Sequence, residues 1–209
     1  GGVAKRFPDL KFGFLEGGVG WALSLLSDTI EHWEKRNKNA IGNYDPKALD
    51  VEKLTEYFQQ YGGAAMAGRE DSFIEYLEGL KIDFENADEI DEFAACGCET
   101  KDDIRAQFAN FFFGCEADDK INSYAFQGPK ERHLNAMFSS DISHWDVPDI
   151  RECVSEAHEL VEDGHMTDED FEDFMFVNPA RLHAGMNPDF FKGTRVEVEI
   201  EKLKAVGRL

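Results

Sequence analysis

Residues Leu134–Asp146, LNAMFSSDISHWD, decide how the chain is read. Ala136 to Phe138 is a short apolar run of the kind that forms a strand buried on both faces. Two serines lead from it to Asp141, where such a strand ends. His144, Trp145 and Asp146 lie just beyond, and Pro148 opens a stretch with helical spacing through Val161, marked by Ile150, Cys153, Val154, Ala157 and Leu160. In parallel α/β sheets and barrels, ligands and catalytic groups collect in the loops after strand C-termini. Asp141 is therefore a candidate site residue, with a carboxylate capping the following turn as its structural alternative.

Working outward, two more segments repeat this plan. Lys11 to Leu15 has strand length and runs into Glu16-Gly17-Gly18-Val19-Gly20, followed by a helical pattern over Ala22 to Lys38 (Leu25, Leu26, Ile30, Trp33). The glycines lack both the P-loop lysine and the dinucleotide fingerprint, so they read as a tight strand-to-helix turn. Asn110 to Cys115 is a buried-strand candidate followed by Glu116, Asp118 and Asp119, with a short helical segment over Lys120 to Phe126. Three strand-to-helix units in succession, each ending in carboxylates, predict an α/β fold with a parallel sheet, either a barrel or a doubly wound sheet.

Residues 41–107 read instead as helices between Gly, Asn and Asp clusters. Asp50 caps Val51 to Tyr61, Gly62 and Gly63 stop it, a second helix runs from Ser72 to Leu80, and an acidic run covers residues 83–92. Thr100 with Asp103 predicts a capping box for a helix through Phe108. So long a connection between two strands reads as a helical insertion. Near the C-terminus, Val196, Val198 and Ile200 alternate with charged residues, which predicts a half-exposed strand over Thr194 to Ile200. The Asp163 to Phe171 stretch resembles a calcium loop only superficially. With Gly164 at the sixth position, Val161 falls where an oxygen ligand is needed, so a turn and a Thr167–Asp170 capping box fit better.

Composition limits the partners. The 209 residues carry 43 acidic and 22 basic side chains, a formal charge of −21. Nothing in that balance replaces the counterions around a nucleic-acid backbone, so nucleic acid is excluded. No apolar run reaches the ~20 residues needed to span a bilayer. The start has neither a basic n-region nor an apolar h-region, and the chain reads as cytoplasmic. Cys96, Cys98, Cys115 and Cys153 are too few and too irregular for a disulfide framework and read as reduced thiols.

Taken together, FPDLKFGFLEGGVGW at the start, FFFGCEADD in the middle, and FSSDISHWDVPDIRE with FMFVNPARLHAGMNPDFF at the end resemble the amidohydrolase superfamily. The likeness is to its metal-dependent hydrolases and decarboxylases related to aminocarboxymuconate semialdehyde decarboxylase. It implies a partial (β/α)8 TIM-type barrel, about three C-terminal units with residues 41–107 inserted between strands. It further implies a small-molecule substrate and a divalent metal, zinc, in the complete enzyme, with Asp141 as metal ligand and proton acceptor. Glu16, Glu116, His144 and Trp145 stand as contacts to the metal's ligands or to the substrate, the last two alternatively as a packed pair at the barrel mouth. The family's His-x-His pair is absent, and Glu16 stands where relatives carry a histidine. The resemblance therefore implies a C-terminal portion that is inactive and metal-free by itself. Its open barrel edges and apolar face would be covered by rearranged helices or a homo-oligomer. The alternative is a non-catalytic structural module.

Overall fold

A computed structural model describes residues 1–83 and 92–209. The chain divides into two compact units, Gly1–Ile30 with Cys98–Leu209, and Glu31–Gly97. In order, the elements are α1 (Val3–Arg6), β1 (Phe12–Phe14), α2 (Gly20–Arg36), α3 (Val51–Tyr61), α4 (Gly63–Met66), α5 (Glu70–Asp83), α6 (Lys101–Phe108), β2 (Phe111–Cys115), β3 (Asn135–Phe138), α7 (Cys153–Glu162), α8 (Asp168–Glu172), α9 (Asn178–Met186) and α10 (Glu197–Ala205).

The first unit is mixed α/β, built on one parallel sheet in the order β1-β2-β3. Phe14 pairs with Phe113 across one ladder, and Phe113 with Ala136 across the next. Strand residues alternate between faces, so Phe12, Phe14, Phe111, Phe113, Cys115, Ala136 and Phe138 share one side. The buried core forms there, where Phe113 and Ala136 pack with Val19 and Ala22 at the start of α2, Phe108 of α6, Leu160 of α7 and Phe174. The other side carries Gly13, Phe112, Gly114, Asn135 and Met137. Leu182 of α9 closes it by packing on Phe112 and Met137. Covering both faces explains why β2 and β3 read as continuous apolar runs.

Side chains finish the sheet's polar accounting. Asn135 Nδ2 donates to the carbonyls of Ala109 (3.2 Å) and Phe111 (3.0 Å), and Asn178 Nδ2 donates to Ala136 O at 2.8 Å. Both asparagines are buried, where an unpaired backbone carbonyl would be costly. Gly114 sits at a close approach: a Cβ there would lie 3.3 Å from the Leu15 Cα, tight enough that the backbone at Leu15 would have to shift by a few tenths of an ångström.

Several local readings match the observed elements. Thr100 and Asp103 form a reciprocal capping box on α6, Thr167 and Asp170 another on α8, and the Asp50 side chain caps α3 through Lys53 N–H. Others are corrected. The Thr194 to Ile200 alternation does not form a strand; Glu197–Ala205 is helical. Ile200 and Leu203, one helical turn apart, are buried with Val177 and Ala180, while Val198 is 65 % exposed. Pairs three residues apart, Glu199–Lys202 and Glu201–Lys204 at 2.8 Å, line the outer face, so the charges that suggested a strand's solvent side belong to a helix. Helix α7 starts at Cys153 rather than Pro148, with residues 150–152 in a turn and Asp149 engaged by Arg151. Lys120–Phe126 is a 3₁₀ helix. A π turn at Asp173–Val177 joins α8 to α9, one residue before Asn178-Pro179. A proline lacking N–H removes a helical bond there, and a widened turn absorbs the change.

The second unit is helical. Phe58 of α3 stacks on Phe73 of α5 with ring centroids 4.5 Å apart, Leu77 is buried, and Arg36 pairs with Glu92 at 2.5 Å. Helix α6, which sequence grouped with residues 41–107, belongs to the first unit. The acidic run read over residues 83–92 lies, for 84–91, outside the described residues.

Candidate functional site

The candidate site forms at the carboxyl end of the sheet. Ser139 N–H donates to Cys115 O at 2.9 Å, carrying the β2–β3 ladder one residue past β3. The backbone then reverses. Asp141 has φ +48° and Ser143 φ +86°, left-handed conformations that cost a non-glycine residue about 1 kcal/mol or more and that concentrate at functional loops. Closure comes from His144 N–H donating to Asp141 O at 3.0 Å and Val147 N–H to His144 O at 3.2 Å.

This reversal places three donors together. His144 Nδ1 lies 3.3 Å from Asp141 Oδ2 and hydrogen-bonds Asp146 Oδ1. One ligand atom from each of Asp141, His144 and Asp146 lies within 4.8 Å of the others. The hydrogen bond to Asp146, then its charge, raises the imidazole's affinity for protons, and Asp141 and Glu16 add to the effect. In return, the His144 hydrogen bond holds the Asp146 carboxyl below the usual carboxylate range. Asp149 is likewise held low, by its hydrogen bonds with Arg151.

Beside this group is a cavity of about 270 Å³. Its walls include Glu116 and Asp118 from the loop after β2, Ser140, Asp141 and Asp146 from the loop after β3, and Glu156 of α7. Cys153 also faces it, its thiol 3.6 Å from Ser140 O. The Glu116 loop is itself anchored, since buried Asn122 donates from Nδ2 to Glu116 O at 2.8 Å.

Of the residues singled out in sequence, Asp141 and Glu116 line the cavity, and His144 adjoins Asp141. Glu16 sits in the loop after β1 with φ +60°, outside the cavity wall, and reaches the group through its charge on His144. Trp145 is 86 % exposed and its ring lies 6.2 Å from that of His144, a tilted pair at the surface. Sequence reasoning did not assign Asp146 a role. Its signal was the spacing Asp141-x-x-His144-x-Asp146, which a reversing turn converts into one cluster. Elsewhere all four cysteines are thiols, none in a disulfide. Among the described residues no helix is long and apolar enough to cross a membrane.

Comparison with protein-family models, with curated proteins and with solved structures finds no match to this chain.

Proposed function

We propose that this chain is a C-terminal part, a partial (β/α)8 barrel, of a metal-dependent enzyme of the amidohydrolase type, and that the complete enzyme hydrolyses or decarboxylates a small organic substrate. The observation that carries the reading is the convergence of Asp141, His144 and Asp146 at the carboxyl end of β3, beside a cavity walled by the loop after β2. The resemblance of the strand-end sequences supports it.

The donor set suits a divalent cation. Two carboxylates and an imidazole are the hard and borderline ligands that zinc takes, and three protein donors with one open position define its catalytic sites. The 3.3 Å between His144 Nδ1 and Asp141 Oδ2 is close to the edge of a tetrahedron of such ligands. Binding would replace the His144–Asp146 hydrogen bond and release the proton held between them. A zinc ion held by these three groups would supply Lewis acidity and lower the pKa of water. Asp141, half-buried at the cavity wall, would orient water there and accept its proton.

Zinc titration of chelator-treated protein, followed by calorimetry and by elemental analysis after dialysis, tests this reading. One bound equivalent, lost in Asp141→Asn and in His144→Ala, is expected in place of the metal-free chain that the resemblance implies, because Asp146 completes a third donor. Absence of stoichiometric zinc would instead favour a non-catalytic structural module. The packing of Leu182 on Phe112 and Met137 supports that second reading, because the sheet's second face is closed by the chain's own helix.

A further inference from the structure

A second cavity, about 420 Å³, opens at the amino-terminal end of the sheet, beside Ala109 before β2 and Asn135 at the start of β3. That volume falls within the range of small-ligand sites. One wall is apolar, with Phe126, Leu134 and Val177. The charged side chains that line it are Lys130, Arg181 and Arg208 against Glu131 and Asp173, three cations to two carboxylates in a chain with 22 bases and 43 acids.

The three cations differ in what holds them. Lys130 is paired with Glu169, and Arg208 donates to Glu172 and to Asp173, both at 2.6 Å. Arg181 is half-buried, and no carboxylate pairs with it among the described residues. Among the described residues its guanidinium makes one hydrogen bond, from Nη1 to Asn135 Oδ1 at 3.3 Å. Asn135 is buried and its own amide is committed to Ala109 O and Phe111 O, so it works as a fixed peg that sets the guanidinium at the cavity wall. A guanidinium has five N–H donors in a planar fork that matches a carboxylate with two parallel hydrogen bonds.

We propose that this cavity binds a small monocarboxylate with an apolar body, the carboxylate held by Arg181 and the body lying along Phe126, Leu134 and Val177. The apolar wall selects such a ligand over a free inorganic anion, which would gain nothing from it. The site is separate from the Asp141 group, which lies at the opposite end of the strands, and does not depend on the reading of that group.

Benzoate is the probe, titrated into the ¹⁵N-labelled full chain and followed by amide shifts. Saturable changes confined to Ala109, Phe126, His133–Asn135, Val177–Arg181 and Gly207–Leu209 are expected, with no response to benzyl alcohol, which keeps the ring and lacks the charge. Arg181→Gln should weaken benzoate at least tenfold, and Arg181→Lys should fall between the two, because a point charge replaces the fork. Absence of saturation up to roughly 10 mM benzoate would overturn the proposal, given that a millimolar dissociation constant is only about 4 kcal/mol of binding. So would equal binding of inorganic phosphate, or shifts centred on Asp141 to Asp146. The location of the shifts in the unmutated protein decides the matter even if an Arg181 variant fails to fold.

Discussion

Replacing Leu182 by alanine tests whether α9 seals the second face of the sheet. Leu182 is 8 % exposed and packs on Phe112 and Met137, and the Cβ position at Gly13 lies 3.6 Å from its Cδ2. Removing a buried leucine to alanine costs about 2–5 kcal/mol, depending on how far the surroundings collapse into the space. Here the cluster is small and includes a flexible methionine that can fill part of the void, so about 2–3 kcal/mol is expected. The two compact units need not unfold together, so a global denaturation curve would mix them, and amide hydrogen exchange of β2 is the sharper assay. If β2 exchanges through opening of the first unit, protection of Phe112 and Phe113 should fall roughly 30- to 150-fold, by the conversion of 1.4 kcal/mol to each factor of ten. Val198→Ala, at a side chain 65 % exposed on α10, serves as the control and should change it little. A loss of protection under about threefold in Leu182→Ala would show that the face is not sealed by α9, and the account of the sheet as covered on both sides would fail.

Two further outcomes concern titration. His144 binds its proton more tightly in the folded chain, first through the hydrogen bond to Asp146 and its charge, so its stabilising contribution is complete below the ordinary imidazole pKa near 6.5 and is lost as pH rises through the raised folded value. Nuclear magnetic resonance titration of the ring protons should show the midpoint falling in Asp146→Asn, with the effect weaker at high salt because the pair is exposed; an unchanged midpoint would separate the two side chains in solution. Cys115 is fully buried and its thiol is pushed up to about 12 by burial, so the unfolded chain ionises at lower pH and stability should decline as pH rises from about 9 towards 12. At pH 8 the folded protein should leave Cys115 unmodified by a thiol reagent that labels it in urea, as read by peptide mass spectrometry.

The sequence by itself determined the local elements whose causes are local. Apolar runs bounded by turns marked β2 and β3, and side-chain caps at Asp50, Thr100 and Thr167 marked helix starts, because each depends on neighbours within four residues. It also marked Asp141 and Glu116 as strand-end carboxylates. Tertiary structure decided what depends on packing. The alternation of Val196 to Ile200 reads as a strand, but Ile200 and Leu203 pack on Val177 and Ala180, and burying one helical face outweighs the β-propensity of the valines. The sheet's second face was closed by a helix more than forty residues downstream of β3, which no local pattern announces. Asp146 joined His144 and Asp141 only through two left-handed backbone positions, since periodicity records which side chains face the core and not how a reversing loop folds its carboxylates together.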